Sequence, residues 1–297
     1  MYREALKQLI NARVSHEGMH ETGVKGVQLF KVTQSIRCAP AVYEPAIIAI
    51  VSGAKEAILD GNRYRYDHRQ YMCCTMSLPV EAGTPEASVD NPLLGVYIKL
   101  DTRVMTELAI EMQNTVGAIR QPTASLQPQG LTLSDWDNTF SDALSRLIQL
   151  GDNPQDIAIL GNSRLREVYY AVLKGAAGNA AKRAFGVGNE IARSIEYIST
   201  RLGEAITIED MAARVGMSRA VFHRKFKQAT TMSPIQFVKA MRLNNAAMSI
   251  AAGANVSAAA MEMGYVSSSQ FSREFKRMYG LSPRQWSPVK QRAAGMI

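Results

Sequence analysis

The chain has 297 residues, enough for two domains with ordinary cores, and a formal charge of +8. Lysine plus arginine and aspartate plus glutamate stand at 19 each through residue 188, but at 15 against 7 from residue 189 onward, so the whole excess lies where a polyanion would be met. No apolar run approaches about 18 residues and no signal peptide opens the chain, which argues against a membrane protein and predicts a cytoplasmic one. Three cysteines, Cys38, Cys73 and Cys74, two of them adjacent, do not read as a disulfide framework.

Residues 1 to about 14 predict a helix with Leu6, Leu9 and Ile10 on one side. His16-Glu17-Gly18-Met19-His20 then matches the H-E-x-x-H motif of zinc proteases. That chemistry needs the pentapeptide inside a rigid helix. Here Gly18 sits at its centre, Gly23 and Gly26 follow, and no convincing third ligand appears, so a connecting loop is expected.

From Gly26 to about Leu100 the pattern is one of short strands: Val27 to Val32, Ala46 to Ser52, Lys55 to Leu59, Arg63 to Tyr66, Tyr71 to Leu78 and Leu93 to Leu100. Gly53, Asp60-Gly61 and Pro79 punctuate them, and Asp60-Gly61 suits a hairpin. Such spacing predicts a small antiparallel barrel or jelly roll, whose interior can hold a small ligand. Alternation along Tyr71 to Ser77 sends Cys73 and Cys74 to opposite faces, so only one can line the cavity, either as a reactive thiol or as a structural residue. Arg37, Tyr43, Tyr66 and His68 could bind a ligand or simply satisfy the barrel wall.

Helices are expected over Thr102 to Met112 and Ser134 to Leu150, separated by a loop from Gln121 to Gly130. In the second, Trp136, Phe140, Leu144, Leu147 and Ile148 form an apolar stripe that either covers the barrel or pairs with a second protomer. Arg164 to Lys174 is a further helix, and Gly175 to Gly188 reads as the interdomain connection. Asn189 caps a helix whose Ile191, Ile195, Ile198 and Leu202 would pack beneath the next segment.

That segment, Thr207 to Trp286, contains one supersecondary unit twice. Thr207 and Asp210 start a short helix, Gly216 ends it and Ser218 caps the next, which is a helix-turn-helix pattern. The second copy repeats Ala212 and Gly216 as Ala260 and Gly264. It then repeats Ser218, Phe222, Arg224, Phe226, Lys227, Ser233 and Pro234 as Ser267, Phe271, Arg273, Phe275, Lys276, Ser282 and Pro283. The extra residue falls in the turn, at Gly264-Tyr265-Val266, where insertions are tolerated. Phenylalanines four apart anchor a small core in each copy. The opposite faces carry Arg219, His223, Arg224 and Lys227, and Ser268, Ser269, Gln270, Arg273, Lys276 and Arg277. Arginine, glutamine and small hydroxyls suit base edges, whereas Arg219, Lys227, Lys276 and Arg277 suit phosphates. A solvated basic face is the plainer reading of either helix alone; the duplication argues against it. Between the copies, Ser233-Pro234 starts a connector helix running to about Ala252, stopped by Gly253. Its span of roughly 28 Å is comparable with the roughly 34 Å turn of B-DNA.

Met263-Gly264-Tyr265, Ser268 to Arg277 and Gly280-Leu281-Ser282-Pro283 closely resemble the signature of the AraC/XylS family of bacterial transcriptional regulators. Ala212 to Gly216, Phe222 to Lys227 and Met232-Ser233-Pro234 are similar to its other half. The resemblance implies base contacts at Ala220, His223 and Arg224 from the first reader and at Ser268, Ser269, Gln270 and Arg273 from the second. Thr231 departs from the family's usual glycine, and Arg242-Leu243-Asn244-Asn245-Ala246-Ala247 lacks the arginine usual near Ala247. More loosely, Tyr43-Glu44-Pro45, Ser52 to Lys55, Tyr64 to Tyr66 and Ser77 to Val80 resemble a cupin-like effector domain. Metal-binding cupins carry a histidine cluster and this segment has only His68, so neither metal nor cofactor is expected.

The expected fold class is therefore α+β: a cupin-like antiparallel β-barrel with helices over 1–175, a connection over 176–188, and an all-α domain over 189–297 with helix-turn-helix units at 207–230 and 255–279. The expected function is sequence-specific regulation of transcription, by activation, with no enzymatic activity. A small-molecule effector would bind the barrel, and the partners would be double-stranded DNA and a second copy of the chain. Contact with RNA polymerase is what the resemblance implies. The competing readings are a cupin-type enzyme with a DNA-binding tail, which lacks any convergent acid-base set, and a cysteine-based redox or electrophile sensor.

Overall fold

The computed structural model describes residues 2–116, 130–186 and 189–290. Helix α1 (Tyr2–Arg13) leads into an antiparallel two-sheet barrel built from β1 (Gly18–Glu21), β2 (Val27–Val32), β3 (Ile36–Tyr43), β4 (Ala46–Ser52), β5 (Ala54–Leu59), β6 (Asn62–Asp67), β7 (Gln70–Cys74), β8 (Leu78–Thr84), β9 (Leu93–Lys99) and β10 (Leu131–Asp135). One sheet has the order β1-β2-β9-β4-β7-β10, the other β3-β8-β5-β6. Every residue of β4 is buried, because α1 covers one face of its sheet while the opposite sheet covers the other. Asp60 and Gly61 both take positive φ, 49° and 78°, and close the two-residue turn between β5 and β6.

Helix α2 (Thr102–Val116) follows β9, and most of the Gln121 to Gly130 loop lies outside the described residues. The expected helix from Ser134 begins later. Ser134 and Asp135 pair with Tyr71 and Gln70 in β10, and α3 (Asn138–Gln149) starts at Asp137, whose side chain accepts from Phe140 N. The α3 stripe is consumed inside the chain: Phe140, Leu144, Leu147 and Ile148 are buried, and Tyr71 stacks on Phe140 at 4.1 Å. It covers the barrel and is not a surface for a second protomer. Helix α4 (Pro154–Lys174) packs on α3 and is longer than expected.

Residues 178–185, within the expected connection, form helix α5 (Gly178–Phe185), whose alanines and Phe185 are buried against α4 and α2. An alanine-rich face lets helices approach closely, so this connection is packed rather than open. Helix α6 (Glu190–Ser199) buries Ile195 and Ile198; Asn189 precedes it without a side-chain cap bond.

The remaining helices are α7 (Ile208–Arg214), α8 (Arg219–Thr230), α9 (Pro234–Ala251), α10 (Val256–Glu262), α11 (Ser268–Tyr279) and α12 (Pro283–Lys290). The caps read from the sequence form: Thr207, Ser218, Ser233 and Ser267 each accept an amide of the following turn, and Ser233 with Gln236 completes a capping box. Phe222, Phe226, Phe271 and Phe275 are fully buried. Ala247 is buried too, and the Trp286 indole donates to its carbonyl, so a small residue fits at this position.

The two halves are hydrogen-bonded to one another. Asn244 of α9, 2% exposed, donates to Ala41 O of β3 at 2.8 Å and to Val80 O of β8 at 2.9 Å. Gly130 N donates to Ala229 O near the end of α8, satisfying one of the carbonyls a helix terminus leaves open.

Candidate nucleic-acid interface and barrel cavity

Two-helix units α7-α8 and α10-α11 stand at either end of α9, whose 18 residues span about 27 Å. Their turns close on Gly216 and Gly264 with φ of 65° and 78°, the left-handed conformation in which glycine bears no steric penalty. Because the phenylalanines face inward, the other faces of α8 and α11 point to solvent: Arg219, Ala220, His223, Arg224 and Lys227 are exposed, as are Ser268, Ser269, Gln270, Arg273, Lys276 and Arg277. The starts of both reading helices border one groove, lined by Thr207, Glu209 and Arg219 on one side, Val266, Gln270 and Glu274 on the other, and Lys239 and Arg242 of α9 beneath.

Several of these side chains already have partners. Arg219 is paired with Glu209 at 2.8 Å, both largely solvated, so the pair contributes little. Glu274 accepts from Lys239 at 3.2 Å and from Tyr265 Oη at 3.0 Å, tying α11 to α9. Arg242 donates to the carbonyls of Leu202 and Glu204, anchoring the loop after α6 to the connector.

The C-terminal end of α8 holds a departure from ideal backbone. Thr231 caps it at φ 67°, ψ −18°, and Gly280 caps α11 at φ 74°, ψ −15°. The same αL turn is thus made once by glycine and once by a β-branched residue, whose hydroxyl donates to Thr230 O at 2.6 Å.

Between the two sheets lies a cavity of about 290 Å³. Its walls come from Phe30 and Val32 of β2, Val42 and Tyr43 of β3, Ile48 of β4, Lys55 of β5, Gly83 and Thr84 of β8, and Leu93 and Tyr97 of β9. Gly95 of β9 gives the Phe30 ring its place, since a Cβ there would fall 2.4 Å from the ring. Cys74 lines the cavity and Cys73 does not, in keeping with the strand alternation. Burial pushes the Cys73 thiol up to about 12 and Cys74 higher still, so neither is a thiolate near neutral pH. Of the four sequence candidates, Tyr43 alone borders the cavity. Tyr66 is buried behind it, and Arg37 and His68 are exposed. The Tyr43 and Tyr66 hydroxyls are near enough to interact electrostatically, yet among the described residues both lack a partner in hydrogen-bond geometry.

Lys55 was not among the sequence candidates. Its signal is the period-two row Lys55, Ala57, Leu59, all buried, in which a charged residue occupies an inward position of β5. Burial brings its ammonium down to about 8.

The H-E-x-x-H residues form no such centre. Gly18 to His20 lie in strand β1, the His16 and His20 rings stand 4.3 Å apart, and Glu17 accepts from Thr33 N at 2.7 Å. Among the described residues no cluster of three or more metal-ligating side chains occurs, and no helix is long and apolar enough to cross a membrane.

Comparison with known proteins agrees with both halves. Residues 23–180 match the family described as AraC-type transcriptional regulator N-terminus, and residues 211–288 match a helix-turn-helix domain family. An HTH-type transcriptional regulator of Haemophilus influenzae is 42% identical over 80 residues, 27% of either chain. The HTH-type transcriptional activator RhaS of Escherichia fergusonii is 30% identical over 92 residues, 31% of this chain and 33% of that one. These matches thus span about a quarter to a third of the relatives' length. The crystal structure of ToxT from Vibrio cholerae bound to (E)-4-(8-methylnaphthalen-1-yl)but-3-enoic acid superposes with a TM-score of 0.56 over 89% of this chain and 98% of that one, at 13% identity, a likeness of fold.

Proposed function

The chain belongs to the family of AraC-type transcriptional regulators, and on that premise we propose that it binds double-stranded DNA through α8 and α11 and activates transcription under control of a small molecule held in the barrel. The observation that carries the reading is the shared groove. Two solvent-facing basic helices start at its edges, joined by α9, whose 18 residues span about 27 Å. Ala220, His223, Arg224, Ser268, Ser269, Gln270 and Arg273 face base edges, while Arg219, Lys227, Lys276 and Arg277 meet phosphates.

Control by the barrel is supported by its hydrogen bonds to the connector α9 and to the end of α8. Val42 and Tyr43 of β3, and Gly83 and Thr84 of β8, wall the cavity, and these same strands present Ala41 O and Val80 O to Asn244. A ligand that binds one arrangement of these strands better than another biases the position of α9 by that difference in affinity. A second copy of the chain is the expected partner. With the α3 stripe buried, Ile110 on α2 and Ile159 and Tyr170 on α4 are the exposed large apolar residues of the helical layer, among the described residues, that remain for it. RNA polymerase is the further partner of an activator.

Selection of binding sequences from random duplexes by the full chain tests the reading. Two short motifs about 10 base pairs apart are expected for each protomer, read from one side of the duplex. Binding of all sequences alike would overturn it.

A further inference from the structure

Lys55 is 7% exposed, borders the cavity between the sheets, and makes no hydrogen bond or ion pair with any described residue. Its ammonium lies 5.9 Å from the centroid of the Phe30 ring and 5.6 Å from that of Tyr43. Aromatic faces stabilise a cation, but less well than a counter-ion does. A lysine normally extends its flexible stem until the ammonium reaches water. A buried ammonium without an anion is strongly disfavoured, which is why breaking a buried ion pair by removing one partner is destabilising. Glu44, the carboxylate on the cavity wall, is not within ion-pair distance of Lys55 and accepts instead from Ser77 Oγ at 2.7 Å. On the same wall the Tyr43 hydroxyl is buried and, among the described residues, has only the Tyr66 hydroxyl nearby, out of hydrogen-bond geometry. Phe30, Val32, Ile48 and Leu93 supply hydrocarbon to the lining, while Gln28, Thr84 and Tyr97 add uncharged polar groups.

We propose that the cavity is a site for a small apolar monocarboxylate, which takes Lys55 as its counter-ion and lays its hydrocarbon body against Phe30, Val32, Ile48 and Leu93. The assignment rests on reading the barrel as the effector domain and gives that effector a chemical class. The volume of about 290 Å³ places the ligand at the small end of what protein pockets hold. A carboxylate supplies the missing charge, an alcohol or amide of the same shape supplies only the body, and an amine brings like charges together. With its ammonium at about 8, Lys55 is still mainly charged at neutral pH and ready for an anion.

Isothermal titration calorimetry on the full chain tests this with octanoate and phenylacetate against octanol, benzyl alcohol and octylamine, using wild type, Lys55→Met and Lys55→Arg. The expected result is tighter binding of the acids than of the alcohols by roughly tenfold or more in wild type. Lys55→Met abolishes that preference without weakening the alcohols, and Lys55→Arg retains part of it. Absence of carboxylate-dependent binding across the panel, or a preference that survives in Lys55→Met, overturns the assignment. A second readout, the affinity of the same proteins for the selected DNA, separates the two readings. A neutral ligand that binds without Lys55 and alters DNA affinity sinks the lysine and leaves the effector role standing. Lys55-dependent acid binding that leaves DNA affinity untouched supports the site and removes its role in control.

Discussion

Tyr279 Oη donates a 2.7 Å hydrogen bond to Asn244 Oδ1, joining the end of the second reading helix to the middle of the connector. Asn244 directs both amide hydrogens into the barrel, so one side chain serves three partners across the two halves. Asn244→Ala takes a second donor from two carbonyls that face each other in the β3-β8 ladder and leaves the Tyr279 hydroxyl without this partner, and the expected loss is about 2 kcal/mol. Tyr279→Phe strands only Oδ1 and should cost about 1 kcal/mol. Calorimetric melts check this, and an unchanged transition in Asn244→Ala would refute the bridge.

Thr231 holds a left-handed conformation that Gly280 adopts without penalty. Thr231→Gly removes that strain, of about 1 to 2 kcal/mol, but loosens the unfolded chain and loses the hydroxyl bond to Thr230 O. A net gain of about 1 kcal/mol is expected by chemical denaturation. Gly280→Thr should lose a similar amount.

The Lys55 ammonium is easier to deprotonate in the folded chain than in the unfolded one, at about 8 against 10.5. Between those values the unfolded state holds more protons, so stability contributed by this group rises with pH across about 8 to 10.5, and below 8 its burial costs about 3 kcal/mol. The thiol of Cys74 and the phenols of Tyr43 and Tyr97, which share the cavity, are pushed upward by burial, so they keep their protons in the folded chain while the unfolded chain begins to lose them at about 9 to 10, and they oppose the lysine in the upper part of that window. Lys55→Met should be more stable than wild type at pH 7, by a margin that shrinks as pH rises from about 8 toward 10.5. Denaturation midpoints of the two proteins from pH 7 to 10 check the difference.

Arg273→Ala should weaken specific DNA binding by about 1 to 3 kcal/mol and relax discrimination at one base position. Lys276→Ala should weaken all sequences alike and lower the salt slope by about one. Both side chains are exposed on α11, so neither change disturbs its core. Identical behaviour of the two variants on selected and random duplexes would refute the division of roles.

Cys73 and Cys74 are fully buried, and only Cys38 is partly accessible, with its thiol pushed to about 11 by burial and Glu56. A thiol reagent should therefore label at most Cys38 in the native chain and all three after denaturation. Rapid native labelling of Cys74 would revive the redox reading.

The C-terminal half was legible because its signals are local. Thr207, Ser218 and Ser267 cap through their own side chains, Gly216 and Gly264 turn on their own φ, and the paired phenylalanines repeat at helical spacing. The barrel was read less well where pairing across the sheet decides. Ile36 to Tyr43 contains a proline and Leu78 to Thr84 another, yet they pair as β3 and β8, with Pro40 and Pro79 accommodated in the ladder. Ser134 and Asp135 look like a helix start, but the open edge of β7 draws them into β10. Lys55 was overlooked because what marks it is a missing partner, and that depends on every neighbouring strand.

Asn244 also bears on how such a protein can be rebuilt. Swapping the sensor by cutting in the connection near residue 189 would keep the rod and discard the two carbonyls it holds, leaving a buried amide against an unfamiliar surface. The modular boundary suggested by the chain's order is therefore not the boundary of its chemistry, and a working chimera would carry β3, β8 and Asn244 from a single parent.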